Sequence, residues 1–326
     1  MRRRKFIAGV GAVTVVPFTA AAQTSSMPVV GFLGSEVEEK GSERFLAFHK
    51  ALAEAGFAEG RNIAIEYRWA QGRIDRYPAL AEDLVRHRVS VIASMGGVPA
   101  ARAAKAATTT IPIVTQGAFD PVEAGIVASQ SRPGGNITGV TNLGISLGPK
   151  RLELMQQLLP GAKLFGLLVN PTHPLTPPQV VEIEAAARTL GVQLHVAHAS
   201  AVEDLDGAFA SLAPHGVRAL VVSAGQPFTT RSVELAGLAA RYKMPAVAES
   251  HEFVAAGGLM TYGGKREDAY MLVGQYVARI LKGEKPGDLP VVRSTKVELM
   301  VNMKAAKELS LTIPITLLGR ADEVIE

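Results

Sequence analysis

The stretch "RPGGNITGV" at residues 132–140 decides how the chain is organised. It places a proline, two glycines and an asparagine directly before a short run that favours a β-strand. A phosphate-binding loop would read G-x-G-x-x-G or G-x-x-x-x-G-K-[ST] and would stand between a strand and a helix. Here the glycines follow a predicted helix and precede a strand, so no helix N-terminus directs its amides at an anion. The stretch therefore indicates a turn that feeds a strand, which then leads out of one domain and into another.

On the N-terminal side of this turn, short apolar segments alternate with helical ones. The apolar segments that predict strands are 27–34, 62–69, 89–94 and 111–115. The segments that predict helices are 42–57, 76–87, 99–108 and 121–131. Strands that are apolar throughout are buried on both faces, and their alternation with helices predicts βαβ units and a parallel sheet.

A second series of the same kind follows the turn. Its predicted strands are 162–170, 192–199, 217–225 and 245–250, separated by helices. The fold class is therefore α/β, with two doubly wound, Rossmann-like parallel-sheet domains. The first is predicted to comprise 28–141 plus about 262–285, and the second 142–261 plus about 286–326. The chain would then cross between the domains several times, near 136–145, at 257–264 and near 286, and several short crossings form a hinge.

The charge of the chain is concentrated at its N-terminus. The formal net charge is +4, and Arg2, Arg3, Arg4 and Lys5 supply all of it, because the other 30 basic residues equal the 30 acidic ones. Hydrophobic residues make up 48% and charged residues 20% of the 326 residues, as in a globular protein. The sequence therefore lacks the basic surface that DNA binding requires, and no nucleic-acid partner is predicted.

Residues 1–22 have the pattern of an export signal. The basic start is followed by an apolar segment of 12 residues, 7–18, and by small residues that predict cleavage after Ala22. The apolar segment is too short to span about 30 Å of hydrocarbon. Within it, "RRKFI" at 3–7 resembles a twin-arginine signal, and an ordinary secretory signal is the alternative. The sequence predicts a periplasmic protein.

The chain contains no cysteine. It therefore carries no disulfide, no thiolate metal site and no lipidated N-terminal cysteine. The mature protein is predicted to be free of the membrane and monomeric, without a cofactor or a metal.

Several stretches resemble one family of periplasmic proteins, the substrate-binding components of ABC importers of the tryptophan and tyrosine type. They are "EGRNIAIEYRWAQG" at 59–72, "ATTTIPIV" at 107–114, "DPVEAGIVASQSRPGGNITGV" at 120–140, "KRLELMQQLLP" at 150–160, "AGGLMTYG" at 256–263, "ARILKGEKPGDLPV" at 278–291, "AKELSLTIP" at 306–314 and "ADEVIE" at 321–326. The resemblance covers essentially all of 28–326. It implies the type I periplasmic-binding-protein fold, capture of a small solute by closure of an interdomain cleft, and permease subunits as partners. An amino acid, with an aromatic or other hydrophobic one as the family's suggestion, is the implied ligand, and urea-like or short carboxylate ligands are the alternatives.

Ligands of open parallel sheets bind beyond the carboxyl ends of the strands. The loops that follow the predicted strands contain polar side chains and glycines suited to a small zwitterion. The candidate ligand-binding residues are Ser35, Met95, Gly96, Gly97, Thr115, Gln116, Asp120, Asn170, Ser223, Gln226 and Glu249. Asp120 and Glu249 are the candidate acceptors for an ammonium group. The alternative for Asp120 is a helix cap, and for Glu249 it is a solvated loop acid.

Enzyme motifs are absent from the sequence. No G-x-S-x-G elbow and no cysteine nucleophile is present, and His195 and His198 lie three apart on a predicted strand, hence on opposite faces. The protein is therefore interpreted as a binding protein and not an enzyme. The alternatives are a ligand-sensing domain for a membrane receptor and an exported α/β enzyme. A repressor of the same fold would need an N-terminal DNA-binding motif where the export signal stands.

Overall fold

The computed structural model describes residues 27–35, 42–142, 144, 146–225 and 227–326. The predicted export signal at 1–22 lies outside the described residues. So does the candidate ligand-binding residue Gln226. Within the part described, none of the helices is both long enough and apolar enough to cross a membrane.

Strands and helices alternate along the described chain much as the sequence predicts. The strands are β1 (Val29–Gly34), β2 (Ala64–Trp69), β3 (Val91–Ser94), β4 (Ile113–Gly117), β5 (Ile137–Thr141), β6 (Leu164–Val169), β7 (Gln193–His198), β8 (Leu220–Val222), β9 (Ala246–Ala248), β10 (Met260–Gly264), β11 (Val292–Arg293), β12 (Val297–Asn302) and β13 (Glu323–Ile325). The α-helices are α1 (Glu43–Glu54), α2 (Tyr77–Arg86), α3 (Gly97–Ala107), α4 (Gly148–Leu158), α5 (Thr176–Leu190), α6 (Leu205–Leu212), α7 (Ser232–Arg241), α8 (His251–Ala255), α9 (Arg266–Leu281), α10 (Met303–Glu308) and α11 (Ile315–Leu318).

The strands form two sheets, one for each domain. The first has the order β11-β5-β4-β3-β1-β2, and its strands are parallel. The second has the order β13-β12-β10-β9-β8-β6-β7, in which β10 and β12 form an antiparallel pair. Both sheets share the doubly wound order 2-1-3-4-5, so each has a point where the chain reverses direction across the sheet, between β1 and β3 and between β6 and β8. The predicted α/β class is confirmed.

Each sheet is covered by helices on both faces, because successive side chains of a strand point to opposite faces. In β1, Phe32 packs with Phe48 of α1 and Val273 of α9, whereas the next residue, Leu33, packs with Tyr77 of α2 on the other face. In the second sheet, the neighbours Leu167 and Leu168 of β6 divide in the same way between two hydrophobic clusters. Continuous apolar runs such as 164–169 are thus explained by burial on both sides.

The chain crosses between the sheets three times. The first crossing follows β5 at 142–147, and the second lies at Lys265 between β10 of the second sheet and α9, which packs on α1 and β4 of the first domain. The third lies at 294–296, between β11, which pairs with β5, and β12, which pairs with β10. The sequence places this third crossing near residue 286, and the strand pairing moves it eight or more residues later. The predicted segment 286–293 therefore lies with the first sheet, because β11 extends that sheet at its edge.

The two glycines of the opening stretch form a turn at the start of β5. Gly134 and Gly135 both have left-handed backbones, with φ of 68° and 62°, which glycine adopts without strain. A Cβ built on Gly287 would lie 2.9 Å from the Gly135 carbonyl oxygen, so this turn packs closely against 286–288. The two glycines thus form the turn at the amino end of β5, and the first crossing follows the carboxyl end of β5.

The helix predicted over 121–131 is wrong, because this segment forms successive turns. The amides of Ile126 and Val127 both donate to the Pro121 carbonyl, and Gly125 between these groups has a left-handed backbone with φ of 69°. A left-handed residue after only one turn ends the helical hydrogen-bond pattern. The Asp120 side chain stabilises the first turn instead of starting a helix.

Candidate ligand-binding site

A cleft lies between the carboxyl ends of the two sheets. Its empty volume is about 670 Å³, including the side open to solvent, which is within the range of small-molecule sites. Residues of both domains line it. The first domain and α9 contribute Ser35, Met95, Gly96, Gly97, Val98, Pro99, Gln116, Gly117, Ala118, Phe119, Asn142 and Arg266, and the second domain contributes His173, Leu175, Ala224, Gly225, Thr229 and Glu249.

The outer part of the cleft is built at the two points where the strand order reverses. Ser35 follows β1 and Met95–Gly97 follow β3, so the two loops diverge and leave a crevice in the first domain. In the second domain, His173 follows β6 and Gly225 follows β8 in the same arrangement. Doubly wound sheets bind ligands at this position, and here two such crevices face each other.

Charged groups stand at the end of the cleft nearest the crossings. Glu249 follows β9, Arg266 begins α9 directly after the second crossing, and Asn142 opens the first crossing. The Glu249 carboxylate packs over Gly144, where an added Cβ would lie 1.9 Å from its Oε1, so a side chain at this position would require the carboxylate to move. The buried Arg151 donates from Nη2 to the Gly144 carbonyl at 2.5 Å, which fixes the backbone of the first crossing at this residue.

Arg266 is cationic in this site. Burial lowers its pKa, but the nearby carboxylates of Glu252 and Glu249 raise it, and the net direction is upward. The cleft therefore presents one carboxylate and one guanidinium cation on its wall. Such a pair matches a zwitterion, whose ammonium and carboxylate are bonded to one carbon.

A second cluster of charges lies beside the cleft and joins the two domains. Glu252 of α8 accepts hydrogen bonds from Arg44 of α1, from Arg266 at 3.2 Å and from the Ser250 hydroxyl. Burial raises the pKa of Glu252, but Arg266 and Arg44 outweigh it and lower the pKa to about 2. The carboxylate is therefore charged at any ordinary pH, and it links a helix of the second domain to two helices of the first.

His173 is a neutral side chain in the wall of the cleft. It is 8% exposed, and burial lowers its pKa to about 4. The backbone amide of Leu175 donates to its Nδ1 at 3.3 Å, which fixes the nitrogen that carries no proton.

The middle of the cleft is apolar. Met95 and Phe119 of the first domain are almost wholly buried, with 3% and 5% of their surfaces exposed. Val98, Pro99 and Leu175 extend the same wall. A hydrophobic group of the ligand would bury its surface here, at about 25 cal/mol for each Å² of apolar area.

A comparison with known families agrees with this architecture. The sequence model of the family "ABC transporter substrate binding protein" matches residues 41–325, nearly the whole described chain. The chain belongs to this family. The resemblance inferred from the sequence motifs is thereby confirmed, and with it the general role of a solute-binding component of an ABC transporter.

Individual relatives of this substrate-binding protein have related descriptions. It is 29% identical over 264 residues to a tyrosine-binding protein of Clostridioides difficile (strain R20291), covering 81% of this chain and 75% of the relative. A conserved domain protein from Vibrio cholerae O1 biovar El Tor superposes with a TM-score of 0.84 at 26% identity, over 92% of this chain and 100% of that one. An ABC domain in complex with L-Trp from Streptococcus pneumonia superposes with a TM-score of 0.83 at 24% identity, over the same shares.

The substrate-binding protein brings six of the predicted site residues together in the cleft. They are Ser35, Met95, Gly96, Gly97, Gln116 and Glu249. Thr115, Asp120, Asn170 and Ser223 lie outside the wall of the cavity. Direct contact of the six with a ligand stays a prediction.

The four residues outside the wall have structural surroundings of their own. Asp120 accepts hydrogen bonds from the amides of Val122 and Glu123 and from the Gln130 side chain. Asn170 accepts from the Thr172 amide and hydroxyl. Thr115 is buried in the middle of β4, and Ser223 is buried directly after β8. Short polar side chains after a strand can hydrogen-bond the nearby backbone, as Asp120 and Asn170 do here.

Sequence reasoning missed Asn142, His173, Thr229 and Arg266 as lining residues. His173 lies in the loop "NPTHPLTPP" at 170–178, which the strand rule marks as facing the cleft, but a single histidine carries no motif. Arg266 follows a strand that ends in two glycines, and the same rule applied to that crossing would have indicated it. The rule that ligands bind beyond the carboxyl ends of strands identifies the loops at the cleft, but tertiary packing determines which residues of those loops line it.

Proposed function

We propose that this protein captures an amino acid with an aromatic side chain in the interdomain cleft and delivers it to the permease of an ABC importer. The observation that carries the proposal is that Glu249 and Arg266 both line the end of the cleft nearest the crossings, where the charge of Glu249 helps to raise the pKa of Arg266. Among the described residues Glu249 has no hydrogen-bond partner, although its carboxylate lies beside an arginine. Glu249 is therefore the acceptor for the ligand's ammonium, and Arg266 faces its carboxylate.

The apolar middle of the cleft supports an aromatic side chain. Met95, Phe119 and Leu175 provide flat and flexible apolar surface beyond the charged end. The curated relative is named for tyrosine binding, and one solved neighbour contains L-Trp. Both descriptions agree with a cleft that is charged at one end and apolar beyond it.

Family membership supports the rest of the proposal. Substrate-binding proteins of ABC transporters work outside the cytoplasm, and the N-terminal sequence has the features of an export signal with cleavage after Ala22. The mature protein acts as a monomer in the periplasm, by binding and release and not by catalysis, and docks on the permease subunits once its cleft has closed.

Calorimetric titration of the mature protein tests this function. We expect L-tryptophan, L-tyrosine or L-phenylalanine to bind, and L-leucine, L-glutamate and urea to bind more weakly or not at all. Replacing Glu249 by glutamine removes the charge under the ammonium, so Glu249→Gln should weaken binding by about 10- to 100-fold, because a hydrogen bond to a charged group contributes about 1.5–3 kcal/mol.

Glu123→Gln is the matched control, since Glu123 is an exposed acid of the turn after β4 and lies outside the cleft. It should bind the amino acid as the parent does. Absence of binding to every aromatic amino acid, or equal affinity of Glu249→Gln and the parent, would contradict the proposal.

A further inference from the structure

His173 stands at the outer end of the cleft, where the strand order of the second sheet reverses. It follows β6 and lies across the cleft from Ser35 and Gly96, which follow β1 and β3 of the first domain. Its side chain is 8% exposed. The small exposed part belongs to the cleft, because His173 is one of the residues that line it.

The hydrogen bonds around the ring define which nitrogen is the donor. Nδ1 accepts from the Leu175 amide at 3.3 Å, so in the neutral ring the proton is on Nε2. Among the described residues Nε2 has no hydrogen-bond partner, and it is not sealed from solvent. Gly225, another residue of the cavity wall, passes so close that an added Cβ would lie 3.2 Å from Nε2. The Nε2–H group is therefore a fixed donor at the surface of the cleft.

The sheet order gives the spacing of the two strands after which His173 and Glu249 stand. Glu249 follows β9 and His173 follows β6, with only β8 between them. Two strand spacings are about 10 Å. Apolar groups of Met95 and Pro99, from the loop and helix that follow β3, line the same cleft.

We propose that the Nε2–H of His173 selects amino acids whose aromatic side chain carries an oxygen acceptor at its far end. This inference rests on the proposed function, since it requires the ammonium and carboxylate of the ligand to lie at Glu249 and Arg266. The ring of the ligand then spans the apolar middle, and a phenol oxygen reaches His173. His173 is a specificity-determining residue of this binding site.

The donor distinguishes ligands that are otherwise similar. Tyrosine presents an oxygen that accepts the Nε2–H, phenylalanine leaves this buried donor without a partner, and the indole N–H of tryptophan is itself a donor. A site that hydrogen-bonds a hydroxyl rejects the analogue that lacks it, because the polar group of the protein then stays desolvated and unpaired. We expect the parent protein to bind L-tyrosine at least about 10-fold more tightly than L-phenylalanine.

Titration of both amino acids into the parent and three variants tests the inference. His173→Phe keeps a planar ring without a donor and should reduce the preference for tyrosine to about twofold or less. His173→Gln retains an N–H donor and an acceptor for the Leu175 amide, so it should restore part of the preference. His198→Gln, an exposed histidine at the end of β7, is the control and should leave the preference unchanged.

A measurement on the parent alone keeps the inference testable if a variant fails to fold. Long-range ¹H–¹⁵N NMR should show the His173 ring protonated at Nε2, with a change of the Nε2 resonance on addition of L-tyrosine that L-phenylalanine does not produce. Equal affinities of the parent for the two amino acids would overturn the inference while leaving the proposed function intact. An equal loss of affinity for L-tyrosine and L-phenylalanine in His173→Phe would also overturn the inference, since the histidine would then contact the part common to both ligands. Absence of all aromatic amino-acid binding would overturn the inference together with the proposed function.

Discussion

Asp120 and Glu249 are acidic residues of the same sequence context, each directly after a parallel strand, yet they have different surroundings. The Asp120 carboxylate is used within its own turn, where it accepts from Val122 N at 2.8 Å, Glu123 N at 3.2 Å and Gln130 Nε2 at 2.8 Å. Glu249 faces the cleft and lies near Arg151 and Arg266. At the residue scale, the difference is whether free backbone amides lie within reach of the side chain.

Replacing Asp120 by alanine should therefore affect stability and not binding. The turn at 121–125 loses its cap, and loss of such a cap costs about 1 kcal/mol. We expect Asp120→Ala to lower the melting temperature while the affinity for the amino acid stays within about twofold. Thermal unfolding and calorimetric titration measure the two quantities separately.

Glu82→Ala, at an exposed position of α2, serves as the control for the thermal measurement. A large loss of affinity in Asp120→Ala with an unchanged melting temperature would show that Asp120 contacts the ligand, as one reading of the sequence predicts.

At the scale of elements, α8 of the second domain contacts α1 and α9 of the first through one carboxylate. Glu252 lies between Arg44 and Arg266, and α8 packs on β10, β12 and α7 within its own domain. The contact requires the two domains to lie close together, because Arg44 belongs to α1 of the first domain and Glu252 to α8 of the second. Arg266 also lines the cleft, so the same side chain takes part in closure and in the ligand site.

Removing the charge at this contact should destabilise the closed arrangement. Glu252→Gln leaves two arginines facing a neutral amide, and we expect the affinity for the amino acid to fall about 10-fold, or 1.4 kcal/mol, mainly through faster dissociation. Because the pKa of Glu252 is about 2, the parent should retain this contribution from neutral pH down to about pH 4.5, the ordinary value for glutamate, and lose it as the pH falls towards 2. Stopped-flow dissociation rates of the parent and the variant measure the effect.

Asp206→Asn is a suitable control, since Asp206 pairs with Arg241 on the exposed surface of the second domain alone. It should leave the dissociation rate unchanged. Equal rates for Glu252→Gln and the parent would show that the interdomain contact does not hold the cleft closed.

At the scale of the whole molecule, the two domains also meet on the side of the cleft away from the crossings. A Cβ built on Gly72, after β2, would lie 3.9 Å from both Thr230 Oγ1 and Arg231 Nη2 of the second domain. The two domains therefore approach each other at the crossings, at Glu252 and at this edge, where the backbone of Gly72 lies near side chains of the second domain. A ligand in the cleft would contact both domains, and separation of the domains about the three crossings would widen the opening for its entry and exit.

The radius of gyration should consequently depend on the ligand. The closed arrangement should have a radius near the value of about 19 Å for a compact chain of this length. We expect the ligand-free mature protein to give a larger value and saturation with the bound amino acid to reduce it, as measured by small-angle X-ray scattering. An amino acid that does not bind serves as the control, and a radius that stays constant at saturation would contradict domain closure.

Much of the fold follows from local sequence patterns. Apolar runs such as 164–169 are strands buried on both faces, and the rule that ligands lie beyond the carboxyl ends of strands indicated the loops that hold Ser35, Gly96 and Glu249. These features depend on neighbours a few residues apart, whose spacing is visible in the sequence. The family could be recognised from the same stretches.

Tertiary structure decided the features that depend on distant partners. Arg44 and Glu252 are 208 residues apart in sequence, and only the packing of α8 against α1 makes them an ion pair. The segment 121–131 has helix-forming residues, but the left-handed Gly125 and the packing of the turns replace the helix. His173 is one of seven histidines in the sequence. Burial lowers the pKa of His173, and the hydrogen bond from the Leu175 amide to Nδ1 determines which ring nitrogen carries the proton. The sequence by itself determined the α/β alternation and the loops of the site, whereas the tertiary structure decided which side chains face the ligand, because hydrogen bonds and ion pairs form with whichever groups packing brings within reach.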